Sequence, residues 1–389
     1  MCLTHATTPV YIYIERDRER ERERERNREM IMENCREEVV LSKPLLLPSF
    51  KEEQQRKCVG NAFGSSLNAR ERKLVCVTSG NSYLSSHIVR ELLAGGYLVR
   101  VTIQKEAVDF GVMNELLRDE EMNQLESVVV AKMGDLDSLC DAFRGCHAVF
   151  HTSSFIDIHG VSGYSEWMAF LETEAARNVI EACCRAAYVK RCVFTSSLLA
   201  SIWTDDDRTG IIDESCWSDE EFCRDRKLWL AMGKTAAEKV AWSKSQEMKV
   251  KLVTVCPGLL MAPSFPNAHT ETSVPYLKGG RMMLQRGVLA TNDISKVAKA
   301  HVHVYEEMDY GACGRYFCFE RVVRRLDEAI QLENNLKMHG QLSGGGNLPS
   351  STQETDGEIQ ISLSNSKLAK LMLRASQRSS CKQSSLIAA

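Results

Sequence analysis

KLVCVTSGNSYLSSHIVRELLAGGYLVRVTIQK, residues 73–105, decides the fold. It opens on an apolar, β-branched run from Leu74 to Val77 and passes through a small polar turn, Thr78 to Ser82. Apolar residues then recur at helical spacing: Tyr83, Leu84, Ile88, Leu92 and Leu93. Gly95 and Gly96 stop that helix, and the run from Tyr97 to Ile103 reads as a second buried strand. Strand, tight turn, helix and strand within roughly thirty residues form a βαβ unit of the dinucleotide-binding type. Its turn sets the positive end of the helix where a pyrophosphate would sit.

The glycine pattern of that turn is altered. Against G-x-x-G-x-x-G, the glycine positions fall on Ser79, Ser82 and Ser85, and Gly80 stands one place late. Serine is small enough for close helix–strand packing, and its hydroxyl can donate a hydrogen bond. It fits poorly wherever φ must be positive. A Rossmann-shaped scaffold with an impaired cofactor site therefore stands beside a working one.

Working outward, the chain of 389 residues is 26% charged and 44% hydrophobic, ordinary for a globular protein with a sizeable core. A formal charge of −3 gives no case for nucleic-acid or membrane binding by bulk electrostatics. No apolar run reaches the roughly 18 residues of a membrane span. Fifteen cysteines are scattered without a C-x-x-C, and no secretory signal is evident, so free thiols in a reducing cytoplasm are expected. Residues 1–72 carry RDRERERERERNRE, in which helical spacing would pair opposite charges at i+3 and like charges at i+4. They read as a charged, low-complexity, disordered extension.

After the first unit a helix is expected over about 111–123, then a strand ending at Gly134-Asp135-Leu136 and a short helix. HAVFHTSS reads as a strand, and a long amphipathic helix follows with Met168, Leu171, Ala175, Val179 and Cys183 on one stripe. KRCVFTSS, the helix LWLAMGKTAAEKVAW and the strand VKLVTVCP complete the alternation. That pattern requires a parallel sheet covered on both faces, an α/β doubly wound domain over 73–260. From 261 to 340 the alternation breaks down. A smaller C-terminal substrate lobe is expected there, with Asn292 capping one helix and RYFCFE as a late strand. Residues 341–389 read as a Gly/Ser-rich linker, a short helix and a mobile tail.

VCVTSGNSYLSSHIV, the Gly-Asp-Leu step, VFHTSSFID, CVFTSSLLASIW, KLWLAMGKTAAEKVAW, CPGLLMAPS and RGVLATNDISKVAKAHV follow one another in a telling order. Over about 73–320 the chain resembles the extended short-chain dehydrogenase/reductases, and within them the plant cinnamoyl-CoA reductase-like group. The resemblance implies NADP(H) binding and reduction of a thioester or ketone by a Ser-Tyr-Lys triad. Ser197 matches the serine that polarises the substrate carbonyl, and Lys234 the lysine that binds the nicotinamide ribose and lowers the tyrosine pKa. The tyrosine belongs four residues before Lys234, one helical turn away. Leu230 stands there. Tyr164 is the one nearby tyrosine considered as a substitute donor.

The same resemblance assigns Ser79, Gly80, Ser82, Tyr83 and Leu84 to the pyrophosphate, and Asp135 and Leu136 to the adenine side. Thr152, Ser153 and Ser154 pass beneath the nicotinamide ribose, and Pro257, Gly258, Leu259 and Leu260 run along the nicotinamide. Cofactor choice falls at the end of the second strand, where an acid favours NAD and a base NADP. Gln104 and Lys105 stand there, so the expectation is NADP, with NAD as the alternative. No metal is expected: His301 and His303 lie two apart, and such residues do not share a helix face. His151, in a buried strand, is expected to be a hydrogen-bonded core residue.

Two functions remain open from sequence. One is an NADP-dependent oxidoreductase acting on a small molecule, with a carbonyl or CoA thioester as substrate, working as a monomer or homodimer. The other is a catalytically silent relative that keeps the fold and acts as a binding or regulatory protein.

Overall fold

The computed structural model describes residues 73–152, 164–204, 210–262, 273–339, 342, 348 and 361–387. The expectations for residues 1–72, for the linker over 343–358 except residue 348, and for Ser153 and Ser154 lie outside the described residues.

In chain order, β1 (Leu74–Val77), α1 (Tyr83–Ala94), β2 (Leu98–Ile103), α2 (Glu106–Leu116), α3 (Asp119–Gln124) and β3 (Ser127–Val130) make the first half. The second half begins with α4 (Leu136–Phe143), β4 (Ala148–His151), α5 (Glu166–Arg185) and β5 (Arg191–Thr195). A 3₁₀ turn over Leu198–Ala200 follows, then β6 (Gly210–Ile212), α6 (Glu220–Asp225), α7 (Trp229–Met248), β7 (Lys251–Pro257) and β8 (Leu259–Met261). Next come α8 (Ser273–Tyr276), α9 (Gly280–Gln285), β9 (Leu289–Asp293), α10 (Ile294–Glu307) and β10 (Gly314–Cys318). The described chain closes with β11 (Arg321–Val323), α11 (Leu326–Met338), β12 (Ile361–Leu363) and α12 (Ser366–Ile387).

Seven strands form the main sheet in the order β10-β7-β5-β4-β1-β2-β3. Every neighbouring pair in it is parallel. Strand order runs outward one way from β1 through β2 and β3, then returns to β4 on the other side. The C-terminal ends of β1 and β4 therefore flank the switch point, where open α/β sheets bind ligands.

Period-two alternation explains the two covered faces. Val75, Val77, Val99 and Val101 pack with Ile88 and Leu92 of α1 and with Val297 and Val304 of α10. Cys76, Val149, Cys192 and Phe194 point the other way, onto Ala175, Val179 and Cys183 of α5 and Ala237 and Ala241 of α7. A third cluster holds Trp203, Leu277, Met283, Leu289 and Leu332.

The late strand β10 joins the main sheet beside β7, with Tyr316 opposite Val255. Residues 261–340 thus give the main sheet a seventh strand, which finds its hydrogen-bond partners on the exposed edge of β7. Asn292 lies in β9 and donates to Cys318 Sγ at 3.0 Å, and Asp293 caps α10 in its place. The C-terminal helix is longer than the sequence suggests. Leu368, Leu371 and Ala375 are buried, and Arg378 pairs with Glu307 of α10.

Candidate active site

The turn after β1 works through its serines. Ser79 sits at φ 55°, the left-handed region, where a β-carbon costs about 1–2 kcal/mol. Gly80 does a different job: a β-carbon there would lie 2.1 Å from Val101 Cγ1. Its N–H donates to Thr102 O at 2.8 Å, so the turn is drawn tight onto β2. Ser82 caps α1, its Oγ accepting from Ser85 N at 3.1 Å. Ser85 Oγ reaches back to Ser79 O and Ser82 O, both at 2.7 Å. Leu84 is buried in the sheet-facing core and Tyr83 is half-buried. The tight turn and the helix end at the switch point fit a dinucleotide pyrophosphate.

At the end of β2 the backbone N–H groups of Gln104 and Lys105 both donate to one carboxylate oxygen of Asp109, at 2.8 and 2.7 Å. Its other oxygen accepts from Asn81 Nδ2, in the turn after β1, at 3.0 Å. Asp135 caps α4, accepting from Asp137 N at 3.1 Å and Ser138 N at 3.4 Å, and Leu136 opens that helix.

Thr152 continues β4 and ties it to β1. Its N–H donates to Thr78 Oγ1 at 3.1 Å and its hydroxyl to Thr78 O at 2.7 Å. Thr78 Oγ1 therefore has its own proton for His151 Nδ1, 3.1 Å away. His151 is fully buried. Burial, and secondarily the charge of Lys234, push its imidazole down to about 3, so it is neutral at neutral pH. It is a hydrogen-bonded core residue. His301 is another, bonded to Val297 O at 2.7 Å and Thr195 Oγ1 at 2.8 Å. Among the described residues no group of three His, Cys, Asp or Glu could hold a metal.

Helix α7 brings Leu230, Lys234 and Glu238 onto one stripe, each four residues apart. Leu230 is buried in the apolar cluster that holds Tyr164, Leu199, Trp203 and Leu277, and it brings no proton to the site. Lys234 is not free to act as a bare ammonium. It pairs with Glu172 of α5, and the two side chains are 9% and 3% exposed. The other carboxylate oxygen of Glu172 accepts from the Tyr164 hydroxyl. Burial, then the Glu172 charge, holds the Tyr164 phenol well above its ordinary pKa. Gly233 makes this arrangement possible: a β-carbon there would meet Tyr164 Oη at 2.6 Å and Ala169 Cα at 2.8 Å. The crossing of α5 and α7 is therefore close enough to join the three polar groups.

Ser197 follows β5, and its Oγ accepts from Leu199 N at 3.2 Å, capping the 3₁₀ turn. Its neighbour Ser196 donates to Glu238 at 2.6 Å. Glu238 also accepts from Thr254 Oγ1 at 2.6 Å and from Arg315 at 2.9 and 3.1 Å. Arg315 stacks on Trp217 at 3.8 Å. This buried network ties β5, β7 and β10 to α7, and with them the backbone bearing Ser197. Pro257 ends β7. Gly258 bonds to Cys318 O at 3.0 Å, and Leu259 and Leu260 begin β8.

Glu172 and Asp109 were missed from sequence. Glu172 had a readable signal: it lies three and four residues before Ala175 and Ala176 and seven before Val179, a carboxylate on an apolar stripe. Asp109 lies six residues past the strand end, beyond the place where the cofactor acid is sought.

Residues 76–256 match the 3-beta hydroxysteroid dehydrogenase/isomerase family. The chain is 35% identical to cinnamoyl-CoA reductase 1 of Petunia hybrida over 261 residues, 66% of this chain and 75% of that protein. It is 33% identical to tetraketide alpha-pyrone reductase 1 of Arabidopsis thaliana, over 66% of this chain and 78% of that one. Its fold is also that of yeast methylglyoxal/isovaleraldehyde reductase Gre2, solved with NADPH. The TM-score is 0.59 at 18% identity, over 77% of this chain and 92% of the other. The chain belongs to the extended short-chain dehydrogenase/reductases, in the cinnamoyl-CoA reductase-like group.

Proposed function

We propose that the protein is a slow nicotinamide-dependent reductase of a small carbonyl compound or CoA thioester. The observation that carries this reading is Lys234, nearly buried on the stripe of α7 and held by Glu172 across the crossing with α5. A buried cation is costly unless it is paired, and Glu172 supplies that pair.

The turn from Ser79 to Leu84 would hold the pyrophosphate, Gln104, Lys105 and Asp109 would border the adenosine ribose, and Thr152 and Pro257 to Leu260 would flank the nicotinamide. The cofactor, NADPH by the Lys105 expectation or else NADH, would supply the hydride. Ser197 donates its hydroxyl to the substrate oxygen and polarises the carbonyl. Lys234 orients the ribose, its charge balanced by Glu172. A positioned general acid is typically worth about 10²–10⁴-fold. With Leu230 in the tyrosine position, turnover falls by that order unless water or Tyr164 delivers the proton.

The pairing of Lys234 with Glu172 favours a second reading, a silent relative that binds the dinucleotide without turning over. Steady-state assays with aromatic CoA thioesters and small aldehydes and ketones, with NADH and NADPH, separate the two. Turnover well below about 10 s⁻¹ that is lost in Ser197→Ala supports the reductase. Dinucleotide binding without turnover on any of them supports the silent relative.

A further inference from the structure

The end of β2 lacks an acid in sequence, yet a carboxylate stands there in space. Asp109, one turn into α2, lies within hydrogen-bond distance of the Gln104 and Lys105 N–H groups, at 2.8 and 2.7 Å. It also binds Asn81 Nδ2 at 3.0 Å. It thus bridges the last residues of β2 and the turn after β1. Those are the two backbone segments between which a Rossmann domain holds the adenosine ribose.

A carboxylate in that place has two effects. It accepts a hydrogen bond from a ribose 2′-hydroxyl, and three of its roughly four acceptor sites are used among the described residues. It also takes the two backbone donors that a 2′-phosphate would need, and it sets a negative charge against that phosphate. Lys105 offers a compensating cation, but it is exposed, whereas Asp109 is 7% exposed. A solvated charge is screened far more than a buried one, so the carboxylate prevails.

We infer that Asp109 makes this chain select NAD(H) over NADP(H), acting as the ribose-binding acid from the helix rather than from the strand. The inference rests on the dinucleotide site of the proposed function and departs from the choice suggested by Lys105.

Titration of the full-length protein with NADH and with NADPH, followed by nicotinamide fluorescence, reads the preference directly. Competition by 5′-ADP against adenosine 2′,5′-bisphosphate reads it without the nicotinamide. NADH should bind about tenfold or more tighter than NADPH, and 5′-ADP tighter than the bisphosphate by a similar factor. Asp109→Asn removes the charge and keeps one side-chain acceptor. It should bring the ratio to within about threefold, chiefly by strengthening NADPH. The wild-type ratio needs no variant, so poor folding of Asp109→Asn leaves the test intact. Equal or tighter binding of NADPH by the wild type overturns the inference and leaves the reductase standing. An unchanged ratio in folded Asp109→Asn also overturns it. Failure of both dinucleotides to bind at millimolar concentration overturns the inference and the proposed function together.

Discussion

Replacing Glu172 should do more damage than replacing its partner Lys234, because Glu172 serves two donors. Lys234→Met leaves a buried carboxylate that still accepts from Tyr164. Glu172→Leu leaves both the ammonium and the phenol without that acceptor. Breaking a buried ion pair by removing one partner costs about 3–5 kcal/mol. Losing the Glu172 acceptor from the Tyr164 hydroxyl adds about 1 kcal/mol. Lys234→Met should therefore lose roughly 3 kcal/mol and Glu172→Leu roughly 5 kcal/mol. At about 2–4 °C per kcal/mol the second melts on the order of 10–20 °C below wild type. The double variant restores most of the loss, since an apolar pair of similar volume is often as stable as the ions it replaces. Adding Tyr164→Phe shows how much of the remaining loss the phenol carries. Urea unfolding and thermal melts of the four variants measure these differences. Single losses below about 1 kcal/mol, the range of an exposed pair, would refute the buried-pair reasoning. So would a double variant whose loss equals the sum of the singles.

Leu230→Tyr restores the phenol one turn from Lys234, but Glu172 cancels much of the field that lowers a tyrosine pKa. Turnover measured for Leu230→Tyr should rise by less than the full 10²–10⁴-fold or so of a positioned acid, and further when Glu172→Gln is added. Gly233→Ala drives a methyl into Tyr164 Oη and the α5 backbone at 2.6 and 2.8 Å. Chemical unfolding should register a loss of about 1–3 kcal/mol, and a neutral result would show that the helices separate freely. Burial, aided by Lys234, holds His151 down to about 3 in the fold, against about 6.5 unfolded. Between those values the unfolded chain binds the extra proton, so this stabilisation is complete above about pH 6.5 and declines as pH falls. About 2 kcal/mol is gone near pH 5, and His151→Gln should flatten the melting temperature against pH over that interval. An unchanged slope would remove His151 from the account.

Local pattern determined most of the fold. The alternation of apolar runs with helical stripes is a property of neighbouring residues. It marked the six parallel strands of the main sheet that precede residue 260 and most of the helices that cover them, though the one helix expected over about 111–123 is two, α2 and α3, parted at the extended Leu117 and Arg118. Family spacing likewise singled out Ser197 and Lys234 and set Leu230 where a tyrosine was expected. Tertiary structure decided what those residues face. Glu172 meets Lys234 only because Gly233 lets α5 and α7 cross closely. Asp109 reaches the end of β2 only because α2 turns back over the strand it follows. β10 enters the main sheet only because the edge of β7 is open to it. Charge pairing and edge pairing act through space between segments far apart in the chain, and periodicity carries no record of such distances.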